Sequence, residues 1–365
     1  MRLACPVWRR WNTRTSMNNL LLTLVGAALI ASAGEPPTAA PVRNPADHLP
    51  PHIRRLTWFG ERADWSHDGR NLLFIEKTYG DAFEVEVATG IIRPVTHHFH
   101  HGGFTRALYL ANGDILLSGC RSFDADQPHL NRTQKAELWV LDKSSRRPPV
   151  ALGTKCSEGP AVSRTRLHLA WTQVSSQYPD ELPSGASRIL EADLAYETSV
   201  PRLANRRLAL DSRDLPFRCT LETQNFIPPN ERRLTFSAYG YQGTEVCVLD
   251  LASKAVVNLT NSPDEYDEPE GIFPDGRFTL VECDRQNKQG WRNIDLWKLS
   301  LEGGGYVERL TFFTDFPGYK ASNPVVSDDG RFMAFQLART TDEAGIGYGI
   351  FVYDFAEARA AAVKR

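Results

Sequence analysis

Apolar and polar residues alternate in short runs along most of the chain, the period of half-buried strands, and the runs come in pairs around tight turns. Three of the turns share one pattern: Trp65-Ser66-His67-Asp68-Gly69-Arg70, Phe273-Pro274-Asp275-Gly276-Arg277 and Ser327-Asp328-Asp329-Gly330-Arg331. Asn112-Gly113 supplies a fourth. Gly after Asp or Asn accepts the positive φ of a hairpin turn, so each pair of runs predicts two antiparallel strands. A third strand follows: Glu84-Val85-Glu86-Val87, Glu137-Leu138-Trp139-Val140-Leu141, Glu245-Val246-Cys247-Val248-Leu249, Asp295-Leu296-Trp297-Lys298-Leu299 and Ile350-Phe351-Val352-Tyr353. A fourth closes on Val95-Thr96, Leu152-Gly153, Leu259-Thr260 or Leu310-Thr311.

Four antiparallel strands repeated at this spacing predict the blades of a β-propeller, with units starting near Glu61, His101, Cys156, Arg218, Asp264 and Tyr319. The third and fourth units are degraded, with Ser163-Arg164-Thr165-Arg166 and Pro228-Pro229-Asn230-Glu231 where the Gly turn belongs. The last unit stops after Tyr353-Asp354-Phe355, one strand short. His52-Ile53-Arg54-Arg55-Leu56-Thr57 matches the close of the fifth unit, Val307-Glu308-Arg309-Leu310-Thr311, and supplies that strand. The expectation is an all-β, six-bladed propeller over residues 52–356, closed by its N-terminal strand, with a tail over 357–365. A β-sandwich is the alternative.

Arg-Arg-Leu-Thr followed by a Trp-Ser-x-Asp-Gly-Arg hairpin, here Arg54 to Thr57 and Trp65 to Arg70, resembles the repeat of the TolB-type propeller. The same repeat is found in the propellers of prolyl-oligopeptidase-like proteins. The resemblance implies the fold, because propellers host binding, scaffolding and catalysis alike. It also suggests a place in the cell envelope, where TolB contacts other envelope proteins. The separate N-terminal domain of TolB has no counterpart here, and no Gly-x-Ser-x-Gly elbow marks a hydrolase.

The N-terminus carries a compartment signal. Arg2, Arg9, Arg10 and Arg14 precede an apolar run over residues 20–30 and then Ala31-Ser32-Ala33, which reads as a signal peptide over 1–33. An uncleaved anchor is the other reading, although the run is short for a membrane span. Pro- and Ala-rich residues 34–51 read as a tether. The expected location is periplasmic or secreted, with no membrane span after cleavage. Cleavage leaves Cys120, Cys156, Cys219, Cys247 and Cys283, an odd number, so at least one thiol stays unpaired within a monomer. A net charge of -2 offers nothing to a phosphate backbone, which argues against nucleic acid.

Strand order puts the long connections on one face: 97–103, 121–135, 175–187, 261–270, 284–292, 312–323 and 339–347. Loops on a rigid scaffold are where binding concentrates. Counting back from the turns aligns Glu61, Glu158, Glu222 and Glu268 near the innermost strand, a ring of carboxylates able to hold a cationic group or calcium. Glu270, Trp291 and Arg292 lie close by in sequence and suit stacking and hydrogen bonding to a sugar or peptide. In Thr96-His97-His98-Phe99-His100-His101, strand alternation puts His98 and His100 on one side, a candidate transition-metal pair. Two functions follow. The first is an interaction module binding an envelope or extracellular protein or glycan. The second is a lyase acting on acidic polysaccharide, in which His98, His100, Tyr319 and Lys320 would supply base, acid and carboxylate neutralisation.

Overall fold

The structure, a computed structural model, describes residues 43–363 apart from 158 and 344. The expected signal peptide and Glu158 therefore lie outside the described residues. The described chain is built from four-stranded antiparallel units. Unit 1 comprises Glu61–Trp65, Asn71–Ile75, Ala82–Glu86 and Ile92–Pro94. Unit 2 comprises Phe104–Tyr109, Ile115–Gly119, Glu137–Leu141 and Val150–Lys155. Unit 3, with its long outer hairpin, comprises Ala161–Val162, His168–Val174, Ser187–Glu197 and Val200–Asp211. Unit 4 comprises Thr220–Phe226, Arg233–Tyr239, Gly243–Asp250 and Val256–Asn258. Unit 5 comprises Glu265–Ile272, Phe278–Cys283, Asp295–Ser300 and Tyr306–Arg309, and a short parallel contact of Gly243 and Thr244 with Glu265 and Tyr266 joins it to unit 4. Unit 6 comprises Tyr319–Val326, Phe332–Arg339 and Ile350–Asp354 with Ile53–Arg55 beside the last of these, Ile53 opposite Tyr353.

The recurring turn is held by its own residues. In the first, Gly69 takes φ of 69°, its N–H donates to the Ser66 carbonyl at 2.9 Å, and the Asp68 carboxylate accepts from the Arg70 N–H at 3.0 Å. Asp329 does the same for Arg331 at 2.9 Å, and Asp275 for Arg277 at 3.0 Å. Each Asp therefore completes an Asx turn and each Gly supplies the left-handed residue. Gly276 has a second reason: a Cβ there would lie 1.9 Å from the Pro228 carbonyl oxygen of the neighbouring turn.

The threonine that closes the fourth strand has a structural task. Thr96, Thr260, Thr311 and Thr57 each accept, through Oγ1, an N–H from the first half of a third strand: Ala82 at 2.9 Å, Val246 at 3.0 Å, Leu296 at 2.9 Å and Ile350 at 2.8 Å. The hydroxyls of Thr96, Thr260 and Thr311 donate in turn to Asp81, Glu245 and Asp295. One side chain thus satisfies both ends of a strand turn that would otherwise bury unpaired polar groups.

Successive units share apolar clusters. Phe104 and Leu117 meet Leu73 and Ile75; Trp171 and Leu190 meet Leu116 and Val140; Phe236 and Leu234 meet Ile189 and Ala170. Val281 and Leu299 meet Val246, and Phe335 and Phe351 meet Phe273 and Leu296. Trp65, Leu72 and Phe74 of unit 1 pack on Ala334, Ile350 and Val352 of unit 6. Large side chains this buried each cost on the order of 3–5 kcal/mol to truncate.

Both ends of the described chain differ from the expected tether and tail. Residues 43–51 include a 3-10 turn, Pro45–Asp47, capped by the Asn44 side chain, and Ala46 and Leu49 pack against the unit 6 core. Asp354 caps a helix, Phe355–Val363, by accepting from the Ala356 and Glu357 N–H groups, and Phe355 is buried against Phe273. No described helix is long and apolar enough to cross a membrane. No disulfide links the five described cysteines, all of them buried. Desolvation pushes the Cys219 thiol up to about 11 and Cys247 up to about 12, so both behave as small core residues.

Candidate functional site

In units 1, 2, 4, 5 and 6 the innermost strand carries a β-bulge, with register breaks between Glu61 and Asp64, Phe104 and Arg106, Thr223 and Asn225, Pro269 and Gly271, and Ser322 and Val325. A bulge re-aims side chains where it falls. Arg62 and Asn323 take positive φ there, at 52° and 49°. Arg62, Arg106, Glu270 and Asn323, all at these breaks, line a cavity of about 490 Å³.

The strand-two to strand-three loops complete its wall: Arg132 and Thr133, Ser176, Trp291, and the segment containing Glu343 and Ile346. Glu222, Tyr239, Tyr266, Glu268, Glu282 and Lys320 form its inner surface. Loops of units 2, 3, 5 and 6 thus line one cavity, while the 97–103 loop contributes no residue to it. Its carboxylates are already engaged. Tyr266 donates its hydroxyl to Glu268 Oε2, and Gln224 Nε2 donates to Glu268 Oε1 at 3.2 Å. Glu270 faces Arg106 at 3.6 Å and accepts from Asn323 Nδ2 at 2.9 Å. Glu282 accepts the Asn323 N–H at 2.5 Å.

Burial governs the titration of this surface. Desolvation, with repulsion from Glu268 and Glu270, holds the Glu282 carboxyl well above the usual range. Desolvation lowers Lys320 although Glu282 and Glu268 favour its charge. Tyr239 and Tyr266 are pushed well up by burial and by Glu268 and its carboxylate neighbours, so both stay protonated donors. Trp291, 37% exposed, forms the rim, with Arg292 4.3 Å from its ring and Lys320 4.8 Å.

A second cavity of about 300 Å³ shares Arg106, Glu270 and Asn323 with the first, so this trio partitions the two. Gly159 makes room for the partition, since a Cβ there would lie 2.6 Å from Arg106 Nε. The second cavity is walled by Val162, Phe226, Ile272 and Val326, and by the two degraded turns. These turns hold one another: Ser163 Oγ donates to Glu231 Oε2 at 2.6 Å, and Arg166 pairs with Glu231 at 3.1 Å. Arg164 reaches into units 1 and 6, where it donates to the Trp65 carbonyl at 2.8 Å, pairs with Asp328 at 2.7 Å and lies 3.4 Å from Asp64.

The structure brings together Glu222, Glu268, Glu270, Trp291 and Lys320. Glu61 is not among them: it is fully buried and accepts from Thr78 Oγ1 at 2.9 Å. Arg292 stands behind Trp291, donating to the Thr340 and Asp342 carbonyls. Tyr319 packs against the core of unit 6, and neither His98 nor His100 lines the cavity. His98 Nε2 lies 2.8 Å from the Ser145 carbonyl and His100 is exposed. The two histidines that converge are His97 and His101, 3.0 and 2.8 Å from the oxygens of Asp81. Arg62, Arg106, Tyr239, Tyr266 and Glu282 were not singled out from sequence. Glu282 was the readable one, a carboxylate inside the apolar run Phe278–Cys283.

One group gathers metal-type ligand atoms, Glu265, Asp267 and Cys283, within 4.8 Å of one another. It fits an ion poorly. Asp267 accepts from Ser262 and Tyr306, Glu265 pairs with Lys288 at 3.2 Å and Arg285 at 3.5 Å, and burial pushes the Cys283 thiol far above its usual value.

No protein-family model matches the chain, and a search of curated proteins finds no relative. Solved structures do match. A gluconolactonase from Xanthomonas campestris, 11% identical, aligns with TM-score 0.53 over 83% of this chain and 89% of its own. TolB from Acinetobacter baumannii, 15% identical, aligns over 80% of this chain and 67% of its own with TM-score 0.43. An oligogalacturonate lyase solved with manganese, 14% identical, aligns over 82% and 78% with TM-score 0.47. Identities this low carry fold and not activity. The repeated four-stranded antiparallel units and the alignment with the gluconolactonase make this chain an all-β protein of the β-propeller fold, and TolB proteins are among its structural neighbours.

Proposed function

We propose that this is an exported six-bladed propeller, its ring closed by the Ile53–Arg55 strand, that binds a protein or glycan of the envelope or extracellular medium through its loop-rich face. The apolar cluster between units 1 and 6 and the Thr57 hydrogen bond to Ile350 support the ring. The Arg-rich, apolar, Ala-Ser-Ala N-terminus supports export to the periplasm or beyond.

The observation that carries the binding reading is the 490 Å³ cavity on which loops of four units converge. It offers an aromatic rim at Trp291 and preset donors and acceptors at Tyr239, Tyr266, Glu222 and Glu268. Such a surface suits the hydroxyl or ammonium groups of a glycan or a protein side chain. Because its carboxylates already hold donors, it suits an organic polar group better than a bare calcium ion. The test is a glycan array and a quantitative pull-down from envelope extract, each run with wild type, Trp291→Ala and Glu268→Gln. Loss of the same ligand in both variants supports the reading; retention in both refutes it.

A lyase is the second reading, favoured by the presence of both Lys320 and Tyr266 in the lining of one cavity. It predicts unsaturated product, read by the ultraviolet absorbance of the new C=C bond on uronic-acid polysaccharides, as expected of β-elimination by a positioned base.

A further inference from the structure

Lys320 is the unusual group of the cavity. It is 7% exposed, on the innermost strand of unit 6, and it lines the cavity wall. Its Nζ donates to the Trp291 carbonyl at 3.0 Å and lies 4.8 Å from the Trp291 ring. That carbonyl holds the amine against Trp291 at the cavity wall. Glu282, 5% exposed, lines the same cavity from unit 5 and is anchored by the Asn323 N–H.

Burial penalises the charged form of both groups, raising Glu282 and lowering Lys320 against the attraction between them. Moving the proton from ammonium to carboxylate removes two buried charges at once. The charged groups acting on Lys320 are Glu282 and Glu268, which favour the ammonium, and Arg292, which opposes it. An amine and a carboxyl lining one polar-walled cavity, with burial favouring the uncharged form of each, is an arrangement that carbonyl condensation can use.

We propose that Lys320 captures a small polar aldehyde or ketone, such as the open-chain form of a sugar, as an imine, with Glu282 supplying the proton for loss of water. The Nζ lone pair forms the C–N bond and the carbonyl π electrons move to oxygen, which takes the proton leaving nitrogen. Glu282 then protonates the carbinolamine hydroxyl. The C–O bond breaks, water leaves, and nitrogen surrenders its last proton to the Glu282 carboxylate as the C=N bond forms. The sum is carbonyl plus amine giving imine plus water, with no oxidant or reductant. Tyr239, Tyr266 and Glu222 give the cavity hydrogen-bonding walls, which favours a hydroxylated carbonyl compound over an apolar one. The proposal rests on Lys320 and its setting and does not require the envelope partner proposed above.

The experiment is reductive trapping. The full chain is incubated at neutral pH with glycolaldehyde and cyanoborohydride, and labelling rates at individual lysines are read by peptide mapping. Lys77 and Lys254, both exposed, serve as internal references. Lys320 is expected to label severalfold faster than either, because a lowered pKa leaves more neutral amine at neutral pH. Glu282→Gln is expected to slow labelling at Lys320 and leave Lys77 unchanged. Lys320→Met, checked for native near-UV circular dichroism, is expected to lose the fast adduct. Labelling of Lys320 no faster than the surface lysines in wild type overturns the proposal without recourse to any variant. An unchanged rate in Glu282→Gln overturns the role of that carboxyl.

Discussion

Replacing Arg164 with Met tests how the end of the molecule opposite the long loops is held. The guanidinium pairs with Asp328 at 2.7 Å, lies 3.4 Å from Asp64 and donates to the Trp65 carbonyl at 2.8 Å. Asp64 is 4% exposed and keeps only the Tyr109 N–H, at 2.7 Å, as a direct donor when Arg164 is removed. Breaking a buried pair on one side costs about 3–5 kcal/mol. The Arg164 side chain is 21% exposed, so solvent screening reduces the expected loss to roughly 2–3 kcal/mol. With an unfolding entropy of about 2.1 cal/mol/K per residue over roughly 320 residues, that is a fall in Tm of about 3–5 °C.

The pH dependence has a definite sign. Burial already raises the Asp64 carboxyl above 3.8, and Arg164 is the main force pulling it back. Without Arg164 its folded pKa rises further, so the folded variant binds a proton that the unfolded chain releases. Its stability then falls as pH rises from 3.8 toward the new folded value. Asp328 acts in the same sense: against its burial, the His67 hydrogen bond and the Arg164 charge hold its carboxyl low, and the Arg164 share of that support is lost on the neutral side. The Tm deficit of Arg164→Met should therefore be larger at pH 7.5 than at pH 4.5, by differential scanning calorimetry. In Asp64→Asn/Arg164→Met, part of the loss should return, with a coupling of roughly 1–3 kcal/mol. A deficit below 1 °C at both pH values, or one larger in acid, would refute the electrostatic reasoning.

Three further outcomes are expected. Gly69 and Gly276 share φ near 68–69°, but a Cβ meets nothing within 4 Å at Gly69 and lies 1.9 Å from Pro228 O at Gly276. Gly69→Ala should cost about 1 kcal/mol and Gly276→Ala at least about 2 more by urea unfolding; equal losses would deny the contact its role. Thr311→Val leaves the Leu296 N–H without its acceptor and should cost about 1–3 kcal/mol, whereas Thr341→Val, on an exposed loop, should be neutral. Raised Glu282 makes wild-type stability decline as pH rises above 4.5, and lowered Lys320 makes it recover toward 10.5. Glu282→Gln should remove the decline and Lys320→Met the recovery, a pattern that melting curves across pH would expose.

The fold was legible where the signal is local. An Asp-Gly-Arg turn needs only its own residues to form, so Asp68, Asp275 and Asp329 announced their hairpins, and repetition announced the rest. The recurrent Leu-Thr was visible as a pattern, but its cause, one hydroxyl serving two partners, becomes clear only when the strands are paired. Register counting reached Glu222 and Glu268 because each lies on an innermost strand. It missed Arg62 and Arg106 because a β-bulge adds a residue that no pattern of alternation reports. It placed Glu61 at a mouth from which the turn at Arg62, with φ of 52°, withdraws it. The Arg164 contacts span 100 residues to Asp64 and 164 to Asp328, and the degraded turn that carries them looked only like a damaged repeat. The segment 97–101 is a turn and not a strand, so alternation could not report that His97 and His101 both meet Asp81.

The central claim is that ligand binding belongs to the cavity under the long loops and not to the opposite end. Once the array or pull-down has supplied a ligand, its affinity should be measured by titration calorimetry for wild type, Trp291→Ala, Glu268→Gln and Arg164→Met, at a temperature where all four are folded. The account predicts at least about tenfold weaker binding for each of the first two variants, a loss of about 1.4 kcal/mol. It predicts wild-type affinity for Arg164→Met. Unimpaired binding by the first two, with loss in Arg164→Met, would contradict it.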